Sequence, residues 1–241
     1  MNMKQIKNTD LEVEKMVKSI ILLSGGLDSL VSLALAKQDY NIQLALTFDY
    51  GQKSAAQEIE ASKRICEFYS IEHKLIKLDW LKEITQTSLV SDKDIPLTSL
   101  KDLSSDEFVQ ESAVSVWVPN RNGTFLNIAA AFADSYDYNY IIFGANKEEG
   151  TTFPDNTQEF IDSINESFMY STLRQPKVYS PLINLTKNDI VKKALELCIP
   201  LEYTRSCYST QDRHCGVCES CVRLKRALEA NDCKEVIVEL F

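Results

Sequence analysis

The sequence contains no long apolar segment. Its longest stretch without a charged residue is twelve residues, from Asn122 to Ala133, whereas a helix that spans a membrane needs about 20 apolar residues. The first ten residues include Lys4, Lys7 and Asp10 and lack the apolar core of a secretion signal. We therefore expect a cytoplasmic protein that has no membrane partner.

Positive charge is also scarce. The 26 lysines and arginines are outnumbered by 35 aspartates and glutamates, which gives a formal net charge of −9. Non-specific binding to nucleic acid depends on basic side chains that neutralise phosphates, so we expect no nucleic-acid partner. A local basic patch is still compatible with this charge, and the segment around the late cysteines is rich in arginine.

What is present is typical of a globular protein. Hydrophobic residues make up 44% and charged residues 25% of the 241 residues, and no internal repeat is visible. Strand patterns alternate with helix patterns along the chain. The predicted strands are at residues 19–23, 44–48, 73–78, 114–118 and 140–143. The predicted helices are at residues 28–37, 54–69, 124–133, 158–169, 186–197 and 218–230.

This alternation predicts the α/β class, with a doubly wound parallel sheet and helices on both of its faces. The segment from Trp80 to Ala113 is polar and is predicted to be irregular. In such folds, ligands bind at the carboxyl ends of the strands, so the polar residues that follow each strand are the candidates for a site.

A glycine-rich loop follows the first predicted strand. Residues 24–29 read SGGLDS and lead into the next helix. Two adjacent glycines let backbone N–H groups approach an anion, and the start of a helix adds free donors. Asp28 would repel a bare phosphate, so we interpret it as a Mg²⁺ ligand or as a brace of the loop. The simpler alternative is a turn that caps the helix.

Four of the seven cysteines are clustered near the end of the chain, at Cys207, Cys215, Cys218 and Cys221. Without export, a disulfide framework is not expected. Four thiolates at these spacings satisfy tetrahedral Zn²⁺ and leave no open position, so we predict one structural zinc ion. The alternatives are an iron–sulfur cluster, four unconnected buried cysteines, or participation of His214 as a competing ligand.

Further polar residues follow other predicted strands. Phe48, Tyr50 and Gln52 come at the end of the second strand, and the turn at 118–122 follows the strand predicted at 114–118. We expect all of these turns to meet at one crevice beside the glycine-rich loop. The charged candidates in this crevice are Arg121, Lys147, Glu148, Glu149 and Asp155.

The glycine-rich loop is not a Walker loop, because no Gly-Lys-Ser/Thr follows it. It resembles the pyrophosphate loop of the ATP pyrophosphatase superfamily, whose members cleave ATP to AMP and pyrophosphate. The motifs together resemble one family within it, the 7-cyano-7-deazaguanine synthases. The matching stretches are LSGGLDS at 23–29, FDYGQ at 48–52, VPNRN at 118–122, FL at 125–126, PD at 154–155, PLINLTK at 181–187, SCY at 206–208 and CGVCESC at 215–221.

The resemblance implies an ATP-dependent C–N ligase with an adenine nucleotide alpha hydrolase-like fold. Its substrates would be 7-carboxy-7-deazaguanine, ammonia and ATP. Its product would be the nitrile 7-cyano-7-deazaguanine (preQ0), formed through an adenylated acid and an adenylated amide, for queuosine or archaeosine biosynthesis. The resemblance also implies Mg²⁺, one Zn²⁺ and a homodimer. Residues 1–200 would form the ATP pyrophosphatase domain, and residues 201–241 a zinc-binding segment packed on it.

The resemblance also implies roles for single residues. Asp28 would bind Mg²⁺, Lys187 or Arg121 would face phosphate charge, and Asp155 would lie near the deazaguanine or ammonia. The residues implied in ATP binding are Leu23, Ser24, Gly25, Gly26, Leu27, Asp28, Ser29, Phe48, Tyr50 and Gln52.

One loop departs from the family pattern. Many members read Tyr-Pro-Asp-Cys-Arg where residues 153–157 here read FPDNT, so a cation is missing. This difference marks a subfamily, or it indicates another acceptor, such as a protein amine in place of ammonia. An alternative of a different class is a tRNA-binding modification protein that uses the basic cysteine segment.

Overall fold

The computed structural model describes residues 16–241, and five parallel strands form one sheet in it. The first ten residues, on which the expectation about export was based, lie outside the described residues. The strands are β1 (Val17–Leu22), β2 (Tyr40–Asp49), β3 (Glu72–Lys77), β4 (Tyr140–Ile142) and β5 (Lys177–Tyr179). Their order across the sheet is β3-β2-β1-β4-β5, so the sheet grows outward from β1 in both directions.

Helices connect the strands. Each of the six predicted helices is present, with ends that differ by at most three residues from the prediction. No helix in residues 16–241 is long and apolar enough to cross a membrane. The α-helices are α1 (Leu27–Ala36), α2 (Ala55–Tyr69), α3 (Asp79–Ile84), α4 (Asp106–Val116), α5 (Arg121–Tyr136), α6 (Lys147–Gly150), α7 (Gln158–Ser171), α8 (Lys187–Glu196), α9 (Glu219–Ala230) and α10 (Lys234–Leu240).

Helices cover both faces of the sheet. Adjacent residues of a strand point to opposite faces, and Ile20 and Ile21 of β1 accordingly belong to two different hydrophobic clusters. Ile21 packs in the cluster that contains Leu30 of α1 and Leu224 of α9. Ile20 packs in the cluster that contains Leu126 of α5. The predicted α/β class with a doubly wound parallel sheet is confirmed.

The strand predicted at 114–118 is wrong. Its alternating VSVWV pattern is typical of a strand, but α4 extends to Val116 and the chain then turns into α5. Ser105 caps α4, because its Oγ accepts the N–H of Phe108 at 3.4 Å. Val116 and Val118 pack into the core from the end of the helix and the turn after it, so their hydrophobic character serves packing against the sheet.

The edge strand β5 and helices α3 and α4 were not predicted. The strand has only three residues, which is too short for an alternating pattern to identify. Helices α3 and α4 lie largely in the segment from Trp80 to Ala113 that was predicted to be irregular. The segment is largely exposed, and even Leu97 and Leu100 within it are 74% and 52% exposed.

The cysteine-rich segment packs directly on the rest of the chain. Leu224, Ala227 and Leu228 of α9 share one hydrophobic cluster with Leu30 of α1 and Ile190 of α8. The division of the chain at residue 200 stays a prediction.

Candidate active site and cysteine cluster

The glycine-rich loop lies at the carboxyl end of β1. Gly25 has a φ of +77°, and a Cβ added there would lie 2.8 Å from the Cβ of Ala61 in α2. Both the left-handed backbone and the close approach of α2 therefore require glycine at this position. Gly26 adopts an ordinary extended conformation with φ of −78°, so the strict requirement for glycine falls on Gly25.

The two serines of the loop brace each other. Ser29 Oγ donates to the carbonyl of Gly26 at 3.0 Å and accepts the N–H of Ser24 at 3.3 Å. The N–H of Leu27 donates to Ser206 Oγ at 3.3 Å. In the described part of the chain, the N–H groups of Asp28 and Ser29 have no hydrogen-bond acceptor. These first-turn donors are the groups that bind anions at a helix N-terminus.

Lys187 connects the loop to α8. Its Nζ lies 2.6 Å from Asp28 Oδ2 and 3.1 Å from Glu149 Oε1, and its side chain is only 8% exposed. Lys187 is the first residue of α8, whose start is fixed by a capping box of Thr186 and Asp189. One buried ammonium group is thus shared by two carboxylates, which leaves net negative charge beside the loop.

Burial and the charges of the neighbouring groups shift the pKa values of Asp28, Glu149 and Lys187. Burial raises the pKa of Asp28 to about 6, although Lys187 opposes the shift. Burial also acts to raise the pKa of Glu149, but the interaction with Lys187 outweighs it and lowers that pKa. The Lys187 pKa is raised, because the two carboxylates outweigh the effect of its burial. Asp28 Oδ1 is buried and has no hydrogen-bond partner within residues 16–241, so it is available to a cation.

Arg121 begins α5 and reaches the same region. Its Nη1 donates to the hydroxyl of Tyr50 at 3.2 Å. Burial acts to lower the Arg121 pKa, but the neighbouring Tyr50 and Asp155 reverse the shift, so the guanidinium stays charged. Burial raises the pKa of Asp155, and the Arg121 charge opposes that shift. Asn156 Nδ2 donates to Asp155 Oδ1 at 3.1 Å and helps to orient this carboxylate.

Glu58 lies beside these residues and was not singled out from the sequence. Its two carboxylate oxygens accept from Ser54 Oγ at 2.6 Å and from Gln52 Nε2 at 2.9 Å. Burial raises its pKa. Only the spacing of Ser54 and Glu58, four residues apart at the start of α2, could have indicated this contact from sequence.

Two adjoining cavities open over the carboxyl ends of the strands. The first, which we call the loop cavity, has a volume of about 230 Å³ and is lined by the glycine-rich loop together with Phe48, Tyr50 and Gln52. Every residue that the resemblance implied in ATP binding lines it, with the exception of Gly25. Gly25 faces α2 instead.

The second cavity, which we call the aromatic cavity, has a volume of about 70 Å³ and is lined by Trp117, Phe153 and Asp155 among others. Arg121 and Lys187 line both cavities, so they lie where the two meet. Of the four residues predicted to be catalytic, Asp28 therefore lines the loop cavity, Asp155 lines the aromatic cavity, and the other two lie at the junction.

Two of the predicted crevice residues do not line either cavity. Lys147 is exposed. Glu148 pairs instead with Arg226 at 2.6 Å and accepts the backbone N–H of Lys187 at 2.8 Å. Neighbouring residues at the start of a helix point in different directions, so only Glu149 of this run faces the site.

The four clustered cysteines converge in space. Their Sγ atoms all lie within 4.8 Å of one another, and those of Cys215 and Cys221 are 3.9 Å apart. Thiolates bound to one tetrahedral zinc ion would be about 3.8 Å apart, given Zn–S bonds of about 2.3 Å. His214 is not part of this group, because its Nε2 accepts the N–H of Ser206 at 3.1 Å. The arrangement fits a single four-coordinate metal ion.

The cysteine segment is hydrogen-bonded to the glycine-rich loop. The N–H of Arg205 donates to the carbonyl of Gly25 at 2.7 Å, and Ser206 Oγ accepts from the N–H of Leu27. The Arg205 guanidinium donates to the carbonyls of Ser209 and Asp212 at 2.6 and 3.0 Å. Arg205, two residues before the first cysteine, thus stabilises its own segment, so it does not form a free cationic surface.

A parallel sheet in this order, with a glycine-rich loop after β1 and a cavity above it, is the arrangement expected of a PP-loop, ATP-utilising protein. The family model described as "Queuosine biosynthesis protein QueC" matches residues 18–232, and the chain belongs to this family.

Curated relatives agree with this assignment. A protein from Carboxydothermus hydrogenoformans named 7-cyano-7-deazaguanine synthase is 51% identical, over 90% of this chain and 100% of its own length. A protein of the same name from Methanosarcina barkeri is 48% identical, over 92% and 98% of the two chains. Among solved structures, an NH3-dependent NAD synthetase from Campylobacter jejuni aligns with 99% of this chain and 88% of its own, at 18% identity and a TM-score of 0.45. The resemblance found from the motifs is confirmed at the level of the family.

Proposed function

We propose that this protein converts 7-carboxy-7-deazaguanine and ammonia to 7-cyano-7-deazaguanine at the expense of ATP. The observation that supports this proposal most strongly is the pair of cavities that meet at Arg121 and Lys187. A reaction that joins a carboxylate to the α-phosphorus of ATP needs two binding sites with a common wall. The curated relatives carry the name of this activity.

The first half of the reaction makes an amide. A carboxylate oxygen attacks the α-phosphorus of ATP, and the P–O bond to pyrophosphate breaks. Ammonia then attacks the carbonyl carbon, the C–O bond to AMP breaks, and the nitrogen loses a proton. AMP is needed because a carboxylate oxygen alone is a poor leaving group.

The second half repeats this chemistry on the amide. The amide oxygen attacks the α-phosphorus of a second ATP and pyrophosphate leaves again. Loss of the remaining N–H protons and cleavage of the C–O bond to AMP give the nitrile. No nucleophilic side chain is required, so the protein contributes positioning and charge stabilisation.

The loop cavity would hold ATP. The free N–H groups of Asp28 and Ser29 would donate to phosphate oxygens, and Phe48, Tyr50 and Gln52 would line the nucleoside. Arg121 would stabilise the charge that develops on the α-phosphate, while Asp155 would face the deazaguanine or ammonia. Lys187 would orient Asp28 and offset part of the charge that its carboxylate brings to the phosphates.

Two metals complete the proposal. Asp28 Oδ1 has the chemistry of a Mg²⁺ ligand, and this ion would offset the charge of the phosphates. The four cysteines would hold one Zn²⁺, which has no open position and supports the fold. A multi-iron cluster distributes the four thiolates over two or four iron atoms and so would hold some of them further apart.

The remaining expectations are part of the same proposal. We infer a homodimer that acts in the cytoplasm without a nucleic-acid partner, with residues 201–241 as a metal-binding segment on the ATP domain. The departure at 153–157 places Asn156 against Asp155. We infer that this marks a subfamily with the same acceptor.

The direct test is incubation with ATP, Mg²⁺, ammonium and 7-carboxy-7-deazaguanine, followed by mass spectrometry of the base and quantification of AMP. The proposal predicts the nitrile together with AMP and pyrophosphate. Adenylated base or amide without any nitrile would instead indicate transfer to another nucleophile. No AMP at all would refute both readings, and a gel shift with tRNA at physiological salt would support the RNA-binding alternative.

A further inference from the structure

We propose that Trp117 and Phe153 form the surface on which the deazapurine ring stacks, and that Trp117 sets the affinity for the base. This inference rests on the proposed function, since it specifies how the same site holds its second substrate.

The rings of Trp117 and Phe153 lie nearly parallel to each other at the aromatic cavity. Their centroids are 6.1 Å apart and their planes differ by only 15°, and both side chains line this cavity. Neither lines the loop cavity. Stacking on an aromatic side chain contributes about 1–3 kcal/mol per base, so an exposed face of this aromatic pair would favour flat heteroaromatic ligands over aliphatic acids.

The remaining apolar lining is consistent with a flat ligand. Leu89, Val116 and Val118 lie in the same cavity and belong to the core cluster on this face of the sheet. Because these side chains are fixed by the core, the cavity is a preformed slot. Trp117 follows α4 directly, so the end of this helix determines where the indole lies.

Among the carboxylates of the aromatic cavity, Asp155 is the one without an ion pair. Glu219 is held by Arg223 at 2.7 Å and by Ser112 Oγ at 2.8 Å, and Glu149 is held by Lys187 at 3.1 Å. Asp155 accepts only the amide of Asn156 among the side chains of residues 16–241. Its second oxygen is therefore available to the N–H donors on the edge of a guanine-like ring.

The cation at the junction completes the orientation of the ligand. Arg121 lines both cavities and has spare donors beyond its bond to Tyr50. A ring stacked on Trp117, with its N–H edge at Asp155, has its carboxylate directed to Arg121 and to the α-phosphate beyond it. Binding of the base in this orientation would therefore also direct its carboxylate oxygen toward the α-phosphorus of ATP.

The chain offers a selective spectroscopic test, because it has two tryptophans. Trp80 is 49% exposed and does not line either cavity. In a Trp80→Phe variant, Trp117 is the single indole fluorophore. We expect 7-carboxy-7-deazaguanine to quench its emission saturably, with or without α,β-methylene-ATP. In a Trp117→Phe variant, which retains Trp80, we expect no quenching beyond the absorbance of the ligand.

Steady-state kinetics supply the second measurement. We expect Trp117→Ala to raise KM for 7-carboxy-7-deazaguanine by about 5- to 150-fold, the range that one lost stacking contact implies. Trp117→Phe should recover most of this loss, and KM for ATP should change less than twofold in both. An equal rise in both KM values, or an unchanged KM for the base in Trp117→Ala, would overturn the inference.

The outcomes separate this inference from the proposed function. Saturable quenching by the base in a protein that forms no nitrile would leave the stacking site in place and refute the proposed reaction. Nitrile formation with the same KM for the base in the wild-type protein and in Trp117→Ala would support the proposed reaction and refute the stacking site. Thermal unfolding and binding of α,β-methylene-ATP verify that each variant is folded.

Discussion

The loop cavity and the aromatic cavity lie side by side but are built in different ways. Residues at the carboxyl ends of β1 and β2 line the loop cavity, and they occur in two short motifs at 23–29 and 48–52. The aromatic cavity is lined by the end of α4, the loop at 152–156 and the start of α9. These segments are far apart in the chain and none of them is a strand.

This difference explains what each cavity contributes. Phosphate binding needs backbone N–H groups in one fixed geometry, and a short motif after a strand supplies it. Recognition of a particular base needs side chains from several directions, which only the tertiary fold can bring together. Under the proposed function, ATP binding would therefore be encoded locally, whereas the choice of acceptor would be encoded by topology.

The largest effect is expected from Asp28→Ala in the loop cavity. Loss of this carboxylate removes the proposed Mg²⁺ ligand and leaves Lys187 with Glu149 alone, so AMP formation should fall by about 10³-fold. The rate of AMP release measures this effect. Asp39→Ala, an exposed acidic residue just after α1, serves as the control and should keep full activity. An active Asp28→Ala enzyme would contradict the role of this residue.

The next largest effect concerns the cysteine cluster. Cys218→Ser should lose the metal ion, and Tm should fall by roughly 10 °C or more because metal binding adds directly to folding stability. Metal content by mass spectrometry and thermal unfolding are the two measurements. Cys198→Ser, at an exposed cysteine, should change neither. A stable Cys218→Ser protein with one metal ion per chain would refute a structural site formed by these four ligands.

Much of the site could be predicted from sequence where function depends on neighbours in the chain. The SGGLDS loop and the four cysteines were recognisable because backbone geometry and ligand spacing constrain them locally. Trp117 and Glu58 were not, since their roles depend on the position of α4 and on the contact of α2 with the loop. The strand predicted at 114–118 failed for the same reason, because packing of α4 decided its conformation.

A smaller effect tests the connection between the cysteine segment and the loop. Ser206→Ala removes the acceptor of the Leu27 N–H, and loss of one hydrogen bond costs about 0.5–1.5 kcal/mol. We expect KM for ATP to rise about 2- to 10-fold with the metal content unchanged. Ser206→Thr, which keeps the hydroxyl, should restore most of the affinity. An unchanged KM for ATP in Ser206→Ala would show that the two regions act independently.

The smallest effect concerns pH and His73 of β3. Its Nε2 lies 2.8 Å from Thr47 Oγ1, which itself donates to the carbonyl of Leu23 before the loop. Burial and the nearby Lys63 lower the His73 pKa. The unfolded chain therefore binds more protons at this residue, so its contribution to stability is present above about pH 6.5 and is lost as pH falls below that value.

Urea unfolding at pH 7.5 and at pH 5 measures this contribution. We expect His73→Gln to reduce the difference in unfolding free energy between the two pH values. A larger difference in the variant than in the wild type would contradict the assigned direction of the pKa shift.

The central claim is that two AMP molecules carry the two carboxylate oxygens away from the base, one each, at the junction of the two cavities. It is tested most directly with 7-carboxy-7-deazaguanine carrying ¹⁸O in both carboxylate positions, followed by mass spectrometry of all products. The account predicts two AMP per nitrile, each with one ¹⁸O atom, and no label in pyrophosphate. Label released as water or inorganic phosphate, or one AMP per nitrile, would contradict it.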